Sequence, residues 1–273
     1  MSRCCAVLGD PIDHSLSPVL HRAAYAELGL DWTYDAVRVG AGGLAAYVAG
    51  LGPQWRGLSL TMPLKREAVP LLTSRDPWTE ISGAANTLLL GEDGSRHGLN
   101  TDVPGAEAAL GQATDASLRT AVVLGGGATA TSVLLALAER GLERATLLVR
   151  DPARVSETVA AVGRHPRPPR LTVTTLAAAG RITADVLVST IPAQAQTDDL
   201  VAATREVPVV FEVVYAPWPT PVAAAAEVDG RTLVGGLELL LWQAVDQVRA
   251  MTGRFDVPVD TMREAGSRAL ATP

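Results

Sequence analysis

The sequence contains almost no lysine. Of its 23 basic residues, Lys65 is the single lysine and the others are arginines. A guanidinium stays protonated at any physiological pH, whereas a desolvated ammonium can release its proton. A lysine retained against this bias therefore suggests proton transfer or a compact point charge. A leftover surface lysine is the alternative, and the residues around Lys65 must decide between the two.

Cysteine, excess basic charge and long apolar runs are scarce as well. Cys4 and Cys5 are adjacent and have no other cysteine to pair with, which excludes a disulfide framework and suggests no metal site. A net charge of -6 argues against general binding to nucleic acid or to an anionic membrane. No apolar run approaches the roughly 20 residues that span a bilayer, and the N-terminus lacks a signal-peptide pattern. These absences predict a cytoplasmic protein and leave open whether it is a monomer or a homodimer.

Short strand patterns alternate with longer helical patterns, which predicts an α/β protein with mostly parallel sheets. With 273 residues, the chain is long enough for two domains. One series of strands ends at Leu90, and a second, which we interpret as a doubly wound sheet, begins near Thr120. The predicted strands are Cys4 to Leu8, Tyr34 to Val39, Leu58 to Leu60, Thr87 to Leu90, Ala121 to Leu124, Ala145 to Val149, Leu171 to Val173, Asp185 to Ser189 and Val207 to Phe211.

Helix signals are clear near both ends of the chain. Ser17 is the predicted N-cap of the first helix, with Pro18 as its first residue and Gly29 as its stop. After Gly236 the pattern is wholly helical, with a last helix near Val259 to Leu270. Because the late helices have no sheet partner nearby in the sequence, we expect them to return and pack on the first domain.

A glycine-rich turn lies between a predicted strand and a predicted helix and fits the pattern G-x-G-x-x-A. Gly125 allows the tight turn, Gly127 lets a pyrophosphate approach the backbone, and Ala130 permits close packing of helix against strand. A plain strand-to-helix turn is the alternative, but the flanking elements favour a dinucleotide site at the helix N-terminus. The predicted cofactor-binding residues of this turn are Gly125, Gly126, Gly127, Ala128, Thr129 and Ala130.

The residues after the next strand bear on the choice of cofactor. An acidic residue there would bind the ribose hydroxyls of NAD, whereas arginine accommodates the 2′-phosphate of NADP. Arg150 and Arg154 favour NADP, and Asp151 would repel a phosphate unless its side chain turns away. In the alternative interpretation, Asp151 only caps the helix that begins at Pro152 and both arginines are solvated.

Several polar residues stand at junctions where α/β folds place ligand-binding groups. Ser15 and Ser17 flank a helix start directly after a strand, so their hydroxyls and the free helix amides could hold a carboxylate. Asn86 and Asp102 also stand at junctions, where their alternative roles are a turn residue and an N-cap.

Taken together, these motifs resemble those of the shikimate dehydrogenase family along the whole chain. Their order and spacing match as well, and six ordered motifs are far more specific than any one of them. The matching runs are G-x-P-I-x-H-S-x-S-P at Gly9 to Pro18, V-T-x-P-x-K at Leu60 to Lys65, A-N-T at Ala85 to Thr87, N-T-D-x-x-G at Asn100 to Gly105, the glycine-rich turn, and Y-x-P-x-x-T-P at Tyr215 to Pro221, followed by Gln243 in the late helix.

The resemblance implies a fold of two domains and a reaction. Residues 1–101 and 237–273 would form an α/β substrate domain completed by the C-terminal helices, and residues 102–236 a Rossmann-like NADP-binding domain. The implied reaction is the reversible reduction of 3-dehydroshikimate to shikimate by NADPH, in the pathway to the aromatic amino acids. The implied partners are therefore small molecules.

The resemblance also implies roles for individual residues. Lys65 and Asp102 would form the catalytic pair. Ser15 and Ser17 would hold the substrate carboxylate. The other implied substrate-binding residues are Thr61, Asn86, Asp102, Tyr215 and Gln243, and the other implied cofactor-binding residues are Ser189, Thr190, Ile191 and Gly236.

The chain departs from the family's common pattern at several positions, which bear on cofactor preference and on the fit around the nicotinamide. Ser59 and Ser189 stand where asparagine is usual, Leu64 where histidine is frequent, and Glu238 replaces a glycine before the late helix. Asp151 keeps open a related dehydrogenase that acts on quinate or an aminated shikimate analogue, with NAD or NADP. A catalytically silent, ligand-sensing paralogue is a further alternative, although both Lys65 and Asp102 are present.

Overall fold

Within the residues that the structure describes, twelve strands form two six-stranded sheets. The computed structural model describes residues 2–178 and 180–271. The strands of the first sheet are β1 (Arg3–Gly9), β2 (Trp32–Arg38), β3 (Trp55–Leu60), β4 (Ser74–Arg75), β5 (Thr87–Leu90) and β6 (Arg96–Leu99). The strands of the second sheet are β7 (Thr120–Leu124), β8 (Arg144–Val149), β9 (Arg170–Thr175), β10 (Val186–Ser189), β11 (Val209–Glu212) and β12 (Thr232–Val234).

The chain divides into two compact units, Met1–Thr101 with Leu240–Pro273 and Asp102–Leu239. The first unit holds the first sheet and the helices α1 (Ser17–Glu27), α2 (Leu44–Ala49), α3 (Leu64–Glu67) and α4 (Pro77–Ser82). The second unit holds the second sheet and the helices α5 (Asp102–Ala113), α6 (Ala128–Glu139), α7 (Ser156–Gly163), α8 (Asp198–Ala203) and α9 (Pro221–Val228). Helix α10 (Gly236–Thr252) starts at the end of the second unit and continues into the first, where α11 (Val259–Ala271) follows.

The first sheet is mixed, with the strand order β2-β1-β3-β5-β6-β4. Strand β1 pairs in parallel with β2 and β3, whereas β5 is antiparallel to both β3 and β6. The antiparallel part arises because a tight turn connects β5 to β6: Gly91 N donates to Ser95 O at 2.9 Å, and Gly94 adopts a φ of 81°. The prediction of mostly parallel sheets is confirmed, and the two pairings of β5 are the exceptions. Because β5 runs antiparallel to its neighbours, it begins at the edge of the sheet where β1, β3 and β6 end.

The last two helices complete the core of the first unit, as the sequence predicted. Leu241, Val245 and Val248 of α10 and Met262 of α11 are buried in one cluster with residues of β1 and α1, among them Leu20. Apolar burial of this kind, at about 25 cal/mol per Å², holds the final segment of the chain to its first strand. Among the residues that the structure describes, no helix has both the length and the hydrophobicity required to cross a membrane.

The start of α1 corrects the predicted N-cap. Ser17 is the first helical residue, and the N-cap is Leu16, whose carbonyl accepts the amide of Leu20 at 3.1 Å. Ser17 N instead approaches the hydroxyl of Ser15 at 3.4 Å. Ser15 is therefore the residue whose side chain accepts from an amide in the first turn of the helix. The predicted stop at Gly29 is confirmed by its φ of 65° directly after the helix.

The second sheet is wholly parallel, with the strand order β12-β11-β10-β7-β8-β9. Counted from β7, this is the 3-2-1-4-5-6 order of a doubly wound nucleotide-binding sheet, which confirms the Rossmann-like prediction. The direction of winding reverses between β7 and β10. Ligands of such sheets bind beyond the carboxyl ends of the strands at this point.

Candidate active site

The segments that follow β1 and β3 lie together at one edge of the first sheet. Asp10 N donates to Met62 O at 2.9 Å, and Thr61 N donates to Leu8 O at 2.9 Å. A Cβ atom added to Gly9 would lie 2.3 Å from Cγ2 of Thr61, so the approach of the two segments requires a glycine there. The loop that carries Ser15 and the loop that carries Thr61 and Lys65 therefore converge.

Asn86 joins the same edge from the start of β5. Its carbonyl accepts the amide of Leu60 at 2.7 Å. The carbonyl of Lys65 accepts the amide of Ala85 at 2.8 Å, which ties the short helix α3 to this segment. Asn86 is 1% exposed, whereas Lys65 is only half-buried. The structure thus brings the lysine loop beside the buried asparagine.

A buried hydrogen-bond network fixes the amide of Asn86. Its Oδ1 accepts from Thr101 N at 2.9 Å, and its Nδ2 donates to Thr101 Oγ1 at 2.9 Å and to Gln243 Oε1 at 3.2 Å. Thr101 Oγ1 donates to the carbonyl of Gln243 at 3.0 Å. Buried polar groups are costly unless they are paired, and in this network the pairing fixes the positions of the Asn86 and Gln243 amides.

The two proposed catalytic residues occupy different kinds of position. Lys65 is the second residue of the four-residue helix α3 in the first unit. Asp102 is buried, at 5% exposure, and is the first residue of α5, where a carboxylate is favoured by the free helix amides. It follows Thr101 directly and begins the second unit.

A second set of buried polar side chains lies beneath this edge, and sequence analysis missed it. Gln247 is hydrogen-bonded to Ser59 and His21, and Ser59 is hydrogen-bonded to Tyr34. Burial lowers the pKa of His21 from 6.5 to about 3, and the hydrogen bond with Gln247 opposes this shift only in part. The available signal was a glutamine one helical turn after Gln243, and therefore on the same face of the helix.

In the second unit, the glycine-rich turn closes tightly around its neighbours but remains open on one side. Gly125 has a φ of 103°, and a Cβ added to Gly126 would lie 2.3 Å from Cγ1 of Val155. A Cβ added to Gly127 would meet nothing within 4 Å. Gly127 precedes α6 and has no side chain to cap it, so the first amides of α6 face this open side, as a pyrophosphate site requires.

The residues after β8 include one capping carboxylate and two exposed arginines. The carboxylate of Asp151 accepts from Ala153 N at 3.0 Å and caps the 3-10 turn Pro152–Val155, so this acidic side chain is turned to its own backbone. Arg150 and Arg154 are exposed. The capping role of Asp151 in the alternative interpretation is thereby confirmed, and the arginines are exposed, as that interpretation also expects.

The loop after β10 lies beside the glycine turn. Thr190 Oγ1 donates to Leu124 O at 2.8 Å, and a Cβ added to Gly125 would lie 2.2 Å from this hydroxyl oxygen. Ser189 is fully buried and Ile191 is 8% exposed. The three residues predicted to contact the cofactor therefore flank the point where the winding of the sheet reverses.

A buried carboxylate supports the next strand and was also missed in the sequence. Glu212, at the end of β11, accepts from Gln196 Nε2 at 2.7 Å, Thr220 Oγ1 at 2.8 Å and Val214 N at 3.0 Å. Burial raises the pKa of Glu212, and these hydrogen bonds oppose the rise.

These bonds fix the segment that leads to Tyr215, which is half-buried. Gly236 is buried at the start of α10, where an added Cβ would lie 2.4 Å from the carbonyl oxygen of Val213. Glu238 therefore lies in the first turn of α10 and does not precede the helix.

Two family models match parts of the chain, and relatives match it over its whole length. Residues 7–88 match the family model of the shikimate dehydrogenase substrate binding domain, and residues 236–265 match that of the shikimate 5'-dehydrogenase C-terminal domain. A shikimate dehydrogenase (NADP(+)) from Methanosarcina acetivorans is 34% identical, and the match covers 99% of each chain. The chain belongs to the shikimate dehydrogenase family.

Solved structures of this family have the same fold over the whole chain. A shikimate 5-dehydrogenase from Mycobacterium fortuitum is 40% identical with a TM-score of 0.84, and the match covers 97% of this chain and 98% of that one. A shikimate 5-dehydrogenase from Thermus thermophilus, solved in complex with NADP(H) and shikimate, is 32% identical with a TM-score of 0.84 and matches over 98% and 100% of the two chains.

Proposed function

We propose that this protein is an NADP-dependent shikimate dehydrogenase, which catalyses the reversible reduction of 3-dehydroshikimate to shikimate. Membership of the family and the relatives named for this activity support the reaction. The single observation in this chain that carries the proposal is the pair of aligned amides, Asn86 and Gln243, at the sheet edge that also holds Lys65.

The proposed chemistry centres on Lys65. A bound NADPH would supply the hydride that reduces the carbonyl carbon, which would leave negative charge on the carbonyl oxygen. The ammonium of Lys65 stabilises this charge and gives the oxygen a proton, and in the reverse reaction its neutral amine accepts that proton. Asp102 would orient Lys65 and the reacting hydroxyl. An arginine could supply the charge but not the proton, which explains the retention of one lysine in an arginine-rich chain.

The remaining polar residues would hold the substrate. We assign the substrate carboxylate to Ser15 and Ser17 at the start of α1. The hydroxyl groups of the ring would meet residues whose side chains can both donate and accept hydrogen bonds. This second set comprises Thr61, Asn86, Tyr215 and Gln243, together with the carboxylate of Asp102.

The residues present fit a bound NADP. The open side of Gly127 and the first amides of α6 would hold the pyrophosphate, and Arg150 and Arg154 the 2′-phosphate. The rest of the cofactor would contact Gly125, Gly126, Ala128, Thr129, Ala130, Ser189, Thr190, Ile191 and Gly236.

We accordingly assign substrate binding to the unit Met1–Thr101 with Leu240–Pro273 and cofactor binding to the unit Asp102–Leu239. The scarcity and adjacency of the cysteines and the net charge of -6 support a cytoplasmic enzyme that acts on small molecules without nucleic acid or membrane partners. We infer a monomer or a homodimer.

The test is a comparison of four reactions with the purified protein. Oxidation of NADPH and of NADH is followed with 3-dehydroshikimate and with 3-dehydroquinate. We expect the highest kcat/KM for 3-dehydroshikimate with NADPH. A preference for 3-dehydroquinate or for NADH would instead identify a quinate or NAD-dependent enzyme. Binding of 3-dehydroshikimate with no oxidation of either cofactor would identify a silent paralogue.

A further inference from the structure

The side-chain amide of Gln247 can be oriented in only one way. Its Nε2 lies 3.2 Å from the carbonyl oxygen of Asn86, which only accepts hydrogen bonds, so Nε2 must be the donor there. The same nitrogen donates to Thr87 Oγ1 at 2.9 Å. The oxygen Oε1 therefore points the other way, toward Ser59 and His21.

This orientation fixes the protons on the far side of Gln247. Oε1 only accepts, so Ser59 gives it its single hydroxyl proton at 2.8 Å. Tyr34 must then be the donor in its contact with Ser59 at 2.5 Å. His21 Nε2, at 3.2 Å from Oε1, must also carry a proton. Burial lowers the pKa of His21 to about 3, so the ring is neutral. With its one proton on Nε2, the ring can only accept a hydrogen bond at Nδ1.

The orientation also fixes the protons on the near side. Thr87 Oγ1 accepts from Gln247 and donates its own proton to Asn86 Oδ1 at 2.9 Å. With Oδ1 held in this way, the Nδ2 of Asn86 is directed toward Thr101 and Gln243. The backbone amide of Thr101 also donates to Asn86 Oδ1, so Gln247, which is buried at 1% exposure, acts through Thr87 to supply the second of two donors that hold the Asn86 amide in this orientation.

We propose that Gln247 is a positioning residue for the substrate, which acts through Thr87 and Asn86. This inference rests on the proposed function. It also explains the serine at position 59. Ser59 and Thr87 are direct partners in the antiparallel pairing of β3 with β5, so an asparagine at position 59 would place its amide beside the Thr87 hydroxyl. In this chain the side chain of Ser59 is short, and the amide beside the Thr87 hydroxyl belongs to Gln247 of α10.

The first test compares Gln247→Met with Val248→Ala. Methionine keeps the length of the side chain but removes its donors and acceptor, and we expect the KM for shikimate to rise about tenfold, as loss of a buried hydrogen bond to a binding residue should cause. The KM for NADP should remain within about twofold, because no cofactor contact depends on Gln247. Val248 is buried in the same helix and only packs, so Val248→Ala should lower the thermal stability without a change in either KM.

The second test is a rescue. Gln247→Ala alone should raise the KM for shikimate. In the double variant Ser59→Asn with Gln247→Ala, the new asparagine on β3 supplies an amide to Thr87 again, so the KM should fall by about fivefold or more relative to Gln247→Ala. If Gln247→Met does not fold, Ser59→Ala removes one donor to Gln247 and should raise the KM about two- to threefold.

Four results would overturn the inference. These are an unchanged KM in Gln247→Met, an equal rise in Val248→Ala, no recovery in the double variant, and absence of wild-type turnover. The last of these also removes the proposed function. With wild-type turnover of shikimate in the same preparation, the other three overturn the role of Gln247 and leave the proposed function in place.

Discussion

The side-chain amides of Asn86 and Gln243 are hydrogen-bonded to each other, with Asn86 Nδ2 donating to Gln243 Oε1 at 3.2 Å. One lies at the start of β5 and the other in α10. Gln243 is held in turn because its Nε2 donates to the carbonyl of Leu240 at 2.9 Å. The late helix and the first sheet therefore share one polar contact at the place where the substrate hydroxyls are proposed to bind.

Gln243→Ala should weaken substrate binding more than it weakens the fold. The change removes an amide from the proposed hydroxyl site and leaves one Nδ2 proton of Asn86 without its acceptor. We expect the KM for shikimate to rise about tenfold to a hundredfold, a cost of about 1–3 kcal/mol. Gln243→Glu keeps the acceptor for Asn86 but places a carboxylate oxygen against the carbonyl of Leu240, so it should also raise the KM. Steady-state kinetics decide the matter, and equal KM values for both variants and the wild type would exclude Gln243 from the site.

Lys65→Met should fold normally and lose most of its turnover. Lys65 is half-buried on a short surface helix, so the structural cost is small, but the proposed proton donor is gone and kcat should fall about a hundredfold or more. Lys65→Arg should remain slow as well, because a guanidinium keeps its proton. Thermal unfolding checks the fold. A kcat near that of the wild type in Lys65→Met would remove Lys65 from the chemistry.

Arg150→Ala should change the KM for NADPH much more than the KM for NADH. Loss of a charged hydrogen bond to the 2′-phosphate costs about 1.5–3 kcal/mol, so the KM for NADPH should rise about tenfold to a hundredfold while the KM for NADH changes little. Arg144, an exposed arginine at the opposite end of β8, is the matched control. Arg144→Ala should leave both KM values unchanged. Equal rises for NADPH and NADH in Arg150→Ala would contradict the assignment.

His21 should make the fold sensitive to acid. Its pKa is lowered from 6.5 to about 3 by burial, so the unfolded chain takes up a proton at this residue between these values and the folded protein does not. Stability is therefore lost as the pH falls below 6.5, by up to about 1.4 kcal/mol per pH unit and by about 2 kcal/mol at pH 5.

The matched variant for this residue is His21→Gln, which keeps a donor for Gln247 and cannot titrate. Denaturant unfolding at a series of pH values should show a shallower loss of stability below pH 6.5 in His21→Gln than in the wild type. Identical slopes would show that His21 is not the group responsible.

Glu212→Gln should destabilise the protein even though it removes a buried charge. Gln196, Thr220 and Val214 all donate to this carboxylate, and an amide would turn its own NH2 group toward at least one of these donors. We expect a loss of about 1–3 kcal/mol in the free energy of unfolding. Glu206→Gln, which changes an exposed carboxylate bonded to Arg181, should cost about 0.5 kcal/mol or less. Similar costs for the two variants would show that the donors around Glu212 contribute little.

Most of the fold and part of the site follow from local sequence pattern. The strand, the glycine turn and the helix from Thr120 to Glu139 are consecutive in the chain, so their geometry is encoded within one short segment. The helices after Gly236 were predictable because an apolar helical segment without a nearby partner must find one elsewhere. The short strands β4, β6 and β12 were not predicted. β4 has only two residues, β12 has three, and β6, Arg-His-Gly-Leu, has no apolar run that would mark a strand.

The rest of the site depends on contacts between distant parts of the chain. Gln247 meets Ser59 across a sequence separation of 188 residues, and no local rule indicates such a contact. Serine is a common N-cap residue, which is why Ser17 was predicted as the cap. In the structure, Ser15 and the backbone of Leu16 shift the helix start by one residue, and Ser17 is the first residue of the helix. In the sequence, Glu212 stands at the end of an apolar strand and gives no sign of its partners. The donors that surround it are visible only in the folded structure.

The packing of α10 and α11 against β1 also determines when each part of the chain can fold during synthesis. The second unit is one continuous segment, and all of its strands are synthesised before α10 is complete. Synthesis of the first unit begins earlier, yet its core lacks Leu241, Val245 and Met262 until those residues are made. Of the two units, the one whose synthesis begins first is therefore the one that finishes folding last.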